Sequence, residues 1–115
     1  MSQRTVRVNE LILREVSDIL HTDYQAETVA ITVSDVDIAP DLRSGRVYYS
    51  VLGGGNNRLE AEEFFEACGE TIRRKVGRRV VLKYLPHLKY IYDDSFARGA
   101  RTLSIIDELD AEEND

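Results

Sequence analysis

The chain has 115 residues, of which 43% are hydrophobic and 31% are charged, and its formal net charge is −6. This length and composition predict one domain with a hydrophobic core and exclude an intrinsically disordered chain. No stretch approaches the roughly 18 consecutive apolar residues of a membrane span. The N-terminal residues lack the features of a secretory signal, and the single Cys68 excludes an internal disulfide. We therefore expect a cytoplasmic protein that does not enter a membrane. We also expect it to be a monomer.

The charge is distributed unevenly along the chain. Residues 107–115 contain six acids and no base, so residues 1–106 are neutral, with 15 bases and 15 acids. Residues 71–92 contain seven bases and no acid. A local field of this kind attracts phosphate groups even when the whole protein is acidic. We predict a domain over residues 1–106, followed by an acidic, disordered tail over residues 107–115.

The N-terminal half of the chain predicts one helix and two strands. Val8, Ile12, Val16 and Ile19 recur at helical spacing, which predicts an amphipathic helix over about residues 4–22. Residues 28–39 alternate between apolar and polar types, with a slip in phase at Ser34 and Asp35 that predicts a bulged strand. A second strand is predicted over residues 45–52. The short connection between the strands favours an antiparallel pair.

The C-terminal half predicts two consecutive helices, a strand and a last short helix. The first helix is expected to begin at a capping Asn57, and a bend at Ala67, Cys68 and Gly69 separates it from the second. Residues 80–92 predict a third strand that is interrupted at Pro86. Phe96, Leu103 and Ile106 predict the last helix. The resulting fold class is α+β, with a three-stranded sheet and the order αββααβ before the terminal helix.

Enzymatic function is not supported by the residues present. The glycines at 53–55 are followed by Glu60, Glu62 and Glu63, which would repel a phosphate from a loop at that helix N-terminus. The two histidines and Cys68 are too few and too widely separated for a structural zinc site. We predict no catalytic residue, no cofactor and no metal ion.

The basic segment predicts binding to nucleic acid, mainly through the phosphate backbone. The primary candidates are the seven bases Arg73, Arg74, Lys75, Arg78, Arg79, Lys83 and Lys89. The secondary candidates are Arg4, Arg7, Arg43 and Arg46. On a helical wheel, Arg74 and Arg78 project away from the apolar residues Ile72 and Val76. Two other interpretations stay open: a general module for single-stranded RNA, and a protein-interaction domain that uses the tyrosine-rich strand.

Several segments, taken in order, resemble the ribosome-binding factor A family. They are Arg4-x-x-Arg7-Val8, Ile31-Thr32-Val33-x-x-Val36, Asp41-Leu42, Val47-Tyr48, Ala67-Cys68-Gly69, Ile72-Arg73, Pro86-x-Leu88-x-Tyr90 and Asp93-x-Ser95-x-x-x-Gly99. The resemblance covers about residues 4–109. It implies a K-homology-like domain of the bacterial arrangement, with a kinked pair of helices at Ala67-Cys68-Gly69 in place of the usual G-x-x-G loop.

The same resemblance implies a function that composition and spacing do not. It implies a non-catalytic assembly factor that binds the free small (30S) ribosomal subunit late in its maturation. Such a factor contacts 16S rRNA, supports processing of the rRNA ends and is needed most in the cold. The acidic tail then has two open roles, as a solubility device or as a competitor of RNA for the basic residues.

Overall fold

The computed structural model describes residues 3–53 and 56–93, which form two helices and one sheet. The elements in chain order are helix α1 (Gln3–Asp23), strands β1 (Ile31–Ile38) and β2 (Ser44–Val51), helix α2 (Asn56–Arg79) and strand β3 (His87–Tyr92). The predicted α+β class and three-stranded sheet are confirmed. The predicted C-terminal helix and the tail over residues 107–115 lie outside the described residues.

The strands form a mixed sheet in the order β1-β2-β3. β1 and β2 are antiparallel, and their register shifts between Val33 and Asp35, which confirms the predicted bulge. β2 and β3 are parallel, with Ser44 beside His87 and Tyr49 beside Tyr92. Two adjacent parallel strands need a long crossover, and α2 provides it. Both strands therefore begin at the same end of the sheet.

The hydrophobic core lies between the two helices and one face of the sheet. It contains the predicted helical residues Val8, Ile12, Val16 and Ile19 of α1, together with Val36, Ile38, Val47 and Tyr49 of the strands and Ala61, Phe65, Ile72 and Val76 of α2. On the opposite face of the sheet, Asp37, Arg46 and Lys89 are exposed. The Asn9 side chain of α1 accepts a hydrogen bond of 2.8 Å from the Ile38 N–H, which joins the helix to the outer edge of β1.

The turn between β1 and β2 is anchored by a buried leucine. Leu42 adopts a positive φ of 61° and is only 9% exposed. Its N–H donates to the Ala39 carbonyl, and the Asp41 carboxylate accepts a hydrogen bond from the Arg43 N–H. A left-handed conformation is unfavourable for leucine, so burial of its side chain must offset the backbone strain. The turn therefore has a defined shape, which determines the position of Arg43 directly before β2.

Helix α2 is continuous through Gly69, so the predicted division into two helices was wrong. A glycine inside a helix costs only about 1 kcal/mol, which tertiary packing readily offsets. Here a Cβ on Gly69 would lie 2.6 Å from Cε2 of Tyr90. The Tyr90 hydroxyl donates a hydrogen bond of 2.8 Å to the Gly69 carbonyl, and burial raises the pKa of Tyr90 well above its usual range. Gly69 thus permits close approach of β3.

Two predicted boundaries were also wrong. The third strand begins only at His87, and Val81 in the preceding connection is fully exposed. A parallel partner of β2 must start beside Ser44, so residues 80–86 serve as the return connection from α2. Asn57 lies inside α2, and its side-chain amide donates to the Leu52 carbonyl instead of capping the helix.

We predict that Gly69→Ala destabilises the protein although alanine is the better helix former. The Tyr90 ring cannot move easily, because it stacks on Phe65 at 4.7 Å and is hydrogen-bonded to Gly69. Overpacking costs about 1–3 kcal/mol, against a gain in helix propensity of about 1 kcal/mol. We expect the free energy of unfolding, measured in urea by circular dichroism, to fall by about 1 kcal/mol.

The matched control is Gly77→Ala in the same helix. There the new Cβ meets only the end of the Leu85 side chain, which can rotate away. We expect Gly77→Ala to be neutral or stabilising by up to about 1 kcal/mol. Equal stability of the two variants would show that the Tyr90 contact does not restrict position 69.

Candidate nucleic-acid interface

The last three turns of α2 present two basic side chains to solvent. Ile72 and Val76 are completely buried, so Arg74 and Arg78 project from the opposite side of the helix, as the sequence predicts. The Arg74 side chain is 69% exposed and lies 3.6 Å from the Glu70 carboxylate. Arg78 is exposed and has no ion pair with the residues that the structure describes. Both arginines are exposed, and neither pairs with an acid of α1 among the described residues.

Arg73 instead points toward the protein. Its Nε donates to the Pro86 carbonyl at 2.8 Å, its Nη2 donates to the Leu85 carbonyl at 2.9 Å, and its Nη1 contacts Glu70 at 2.8 Å. Only 17% of its side chain is exposed. Two donors of the guanidinium are therefore used to attach the connection between α2 and β3 to the helix, and a third bonds to Glu70 within the helix. A direct role of Arg73 in RNA binding stays a prediction.

Lys75 and Arg79 are paired with acids of α1. The Lys75 ammonium lies 2.7 Å from the Asp23 carboxylate, and this contact lowers the pKa of Asp23. Arg79 contacts Glu15 at 3.4 Å and forms a shorter bond with Asp18, which raises the pKa of Arg79. A phosphate at either base would compete with these carboxylates. Both bases are thus less available than Arg74 and Arg78.

A second group of cations surrounds the exposed Tyr84 in the connection between α2 and β3. The Arg43 guanidinium carbon lies 4.6 Å from the centre of the Tyr84 ring, and the Lys83 nitrogen lies 5.5 Å from it. The His87 N–H donates to the Arg43 carbonyl at 2.9 Å, which brings the turn before β2 to the start of β3. The fold thus unites a secondary candidate, Arg43, with a primary candidate, Lys83.

Arg46 and Lys89 form a third group on the outer face of the sheet. They are neighbours in the pairing of β2 with β3, and Asp37 is the partner of Arg46 on β1. The three side chains border an open depression of about 400 Å³ that is also lined by Ala39, Ser44 and Gly45. Because Asp37 lies beside Arg46, the net positive charge of this group is smaller than its two bases alone would give.

The secondary candidates on α1 are less closely connected to these groups. Arg7 is exposed. The Arg4 side chain lies outside the described part of the chain. The contact of Asn9 with Ile38 places this half of α1 near the end of β1, and therefore near the turn that contains Arg43.

The described residues contain no group of three or more histidine, cysteine, aspartate or glutamate residues that could bind a metal ion. No helix in this part of the chain has both the length and the apolar character of a membrane span. Cys68 is a half-buried free thiol.

Comparison with known proteins places the chain in a family. The family model for ribosome-binding factor A matches residues 4–106. The ribosome-binding factor A of Opitutus terrae is 47% identical over 110 residues, which cover 96% of this chain and 90% of that protein. That of Acetivibrio thermocellus is 34% identical, with coverage of 96% and 91%. The chain belongs to the ribosome-binding factor A family.

Solved structures of the ribosome-binding factor A family have the same K-homology-like fold. The crystal structure from Thermus thermophilus has a TM-score of 0.65 at 17% identity, and the match covers 76% of this chain and 94% of that one. A homology model of the Thermus protein, fitted into the cryo-EM map of a 30S–RbfA complex, has a TM-score of 0.54 at 17% identity, with coverage of 80% and 93%.

Sequence reasoning found the basic residues but not which of them are already bonded within the protein. The partners of Lys75 and Arg79 lie more than fifty residues earlier in the chain, at Asp23, Glu15 and Asp18. The grouping of Arg43 with Tyr84 depends on the same long-range packing. The spacing of charges along α2 indicates neither the ion pairs with α1 nor the contact between Arg43 and Tyr84.

We predict that Arg73→Ala lowers stability, whereas Arg78→Ala does not. The first change leaves the Leu85 and Pro86 carbonyls without their charged donor, and such bonds contribute about 1.5–3 kcal/mol. We expect the free energy of unfolding in urea to fall by about 2 kcal/mol for Arg73→Ala and by less than about 0.5 kcal/mol for Arg78→Ala. A neutral Arg73→Ala would contradict a structural role for these bonds.

Proposed function

We propose that this protein binds the free small ribosomal subunit and assists its late maturation without catalysing a reaction. The match of the family model to residues 4–106 carries this proposal. The similarity to a family member fitted into a 30S complex also supports it. The function requires a folded domain with an accessible basic surface, and both are features of this chain.

We infer that 16S rRNA is the main ligand within the subunit. Arg74 and Arg78 offer fully charged, exposed guanidinium groups, which suit the geometry of phosphate oxygens. The groups around Tyr84 and along Arg46 and Lys89 supply further cations near the start of β2 and β3. Phosphate contacts of this kind determine position and orientation, and the folded shape of the rRNA supplies selectivity.

The proposed mechanism is occupation of an rRNA junction. By neutralising phosphates that would otherwise repel each other, the protein stabilises one arrangement of the junction during maturation. Processing of the 16S rRNA ends is then supported indirectly, because the ends become accessible to the nucleases that cut them. We expect the factor to be needed most in the cold, because the secondary structure of misfolded RNA is more stable at low temperature. A cytoplasmic monomer is the state in which we expect this activity.

The test is co-sedimentation of the protein with free small subunits, large subunits and assembled ribosomes. We predict selective binding to free small subunits, and a loss of affinity of at least about tenfold in the double variant Arg74→Glu, Arg78→Glu. Each charge-assisted bond contributes about 1.5–3 kcal/mol, so the loss of two contacts is readily measured. Arg14→Glu, Arg58→Glu is the matched control, because it changes the net charge equally with bases outside the candidate set.

Each result of this experiment selects one interpretation. Equal losses in both double variants would show that only overall charge matters. If the Arg74→Glu, Arg78→Glu variant binds subunits as tightly as the wild type, a protein-interaction domain that uses another face is favoured. Binding to short RNAs without binding to subunits would favour a general module for single-stranded RNA.

We also predict a steep dependence of subunit binding on salt. Neutralisation of about five phosphates gives a slope of log affinity against log salt of roughly −3.5 to −4.5. For the Arg74→Glu, Arg78→Glu variant the slope is smaller in magnitude by about 1.4–1.8, because two phosphate contacts are lost. Filter binding across a salt series measures both slopes. A wild-type affinity that does not change with salt would contradict binding through phosphates.

A further inference from the structure

Tyr84 differs from the tyrosines of the core in its surroundings. Tyr49 is 1% exposed, and Tyr90 stacks on Phe65 and donates its hydroxyl proton to Gly69. Tyr84 is 40% exposed, and its ring contacts are with cations. Core packing therefore does not account for an aromatic residue at this position.

The contacts of Tyr84 combine a flat apolar surface with positive charge. The Arg43 guanidinium lies 4.6 Å from the ring centre and the Lys83 ammonium lies 5.5 Å from it. Exposed aromatic rings and arginine planes are the surfaces on which unpaired bases stack, and adjacent cations attract the phosphate of the same nucleotide. A ligand that is both planar and anionic suits this combination best.

Hydrogen bonds attach the backbone on both sides of the Tyr84 group. The bonds from Arg73 attach Leu85 and Pro86 to α2, directly after Tyr84. On the other side, the Arg43 N–H is bonded to Asp41, and the Arg43 carbonyl accepts the His87 N–H. Because both segments are attached at their backbones, binding would cost little ordering of the chain.

We propose that Tyr84 and Arg43 form a stacking platform for an unpaired RNA base, with Lys83 contacting the phosphate of that nucleotide. This inference rests on the proposed function, since it names the kind of rRNA nucleotide that the surface recognises. A base inside a duplex is stacked between its neighbours and has no free face for Tyr84. The platform therefore selects single-stranded nucleotides, whereas Arg74 and Arg78 contact phosphates of either form.

The experiment compares the full-length wild type with Tyr84→Phe, Tyr84→Leu and Val81→Ala. The probe is a ten-nucleotide adenine-rich RNA with one 2-aminopurine, whose emission is quenched when it stacks. A blunt RNA duplex of the same length is the second probe. Affinities come from fluorescence anisotropy, and quenching is measured at saturating protein. Val81→Ala is the matched control, because it removes a fully exposed apolar side chain from the same connection.

We expect Tyr84→Phe and Val81→Ala to bind and quench like the wild type. Tyr84→Leu should bind the single strand roughly 5- to 150-fold more weakly and lose the quenching, because stacking on one aromatic ring is lost. Its affinity for the duplex should be unchanged. Three results would each overturn the platform. Tyr84→Leu could quench as strongly as the wild type, or it could lose equal affinity for the single strand and the duplex. The third is that the wild type does not bind the single strand.

Co-sedimentation of the wild type with free small subunits separates this inference from the proposed function. If the wild type does not bind free small subunits, the proposed function fails, whatever the result with the 2-aminopurine probe. If the wild type binds them and Tyr84→Leu shows unchanged quenching, the proposed function stands and the platform is wrong. Thermal unfolding of each variant checks that Tyr84→Leu remains folded.

Discussion

The contact between α2 and β3 at Gly69 is the constraint on which the arrangement of the surface depends. Because Gly69 has no side chain, the Tyr90 ring reaches the helix and its hydroxyl bonds to the Gly69 carbonyl. One turn later, Arg73 bonds to the two carbonyls just before β3. These contacts determine the rotation of α2 about its axis, and the same rotation buries Ile72 and exposes the bases on the other side.

The basic segment that looks uniform in the sequence is divided by the fold into cations with different partners. Arg73 bonds to backbone carbonyls, and Lys75 and Arg79 pair with carboxylates of α1. Arg74 and Arg78 are exposed, and neither pairs with an acid of α1 among the described residues. Exposed ion pairs contribute only about 0–1 kcal/mol to stability, so an RNA phosphate could replace the α1 carboxylates at modest cost. Accessibility, more than the number of bases, therefore defines the candidate interface.

Much of the fold follows from local sequence patterns. Which of the bases are bonded within the protein does not follow from them. The helical spacing from Val8 to Ile19 was sufficient to predict α1. The slip in phase at Ser34 was sufficient to predict the bulge in β1. Gly69 was interpreted as the boundary between two helices, whereas α2 continues through it. The close contact that this glycine permits depends on the position of Tyr90 in β3. The pairing of Arg79 with Asp18 and of Arg43 with Tyr84 depends on segments far apart in the chain, so no local pattern reveals them.

The most direct test of the account is site-specific photo-crosslinking to free small subunits. A photoreactive amino acid replaces either Val81, which is fully exposed beside the basic groups, or Leu52, which is 79% exposed at the opposite end of the sheet. Neither change removes a charge. The account predicts crosslinks to 16S rRNA from position 81 and none from position 52. Crosslinks to rRNA from position 52 alone, or crosslinks from position 81 only to protein, would contradict it.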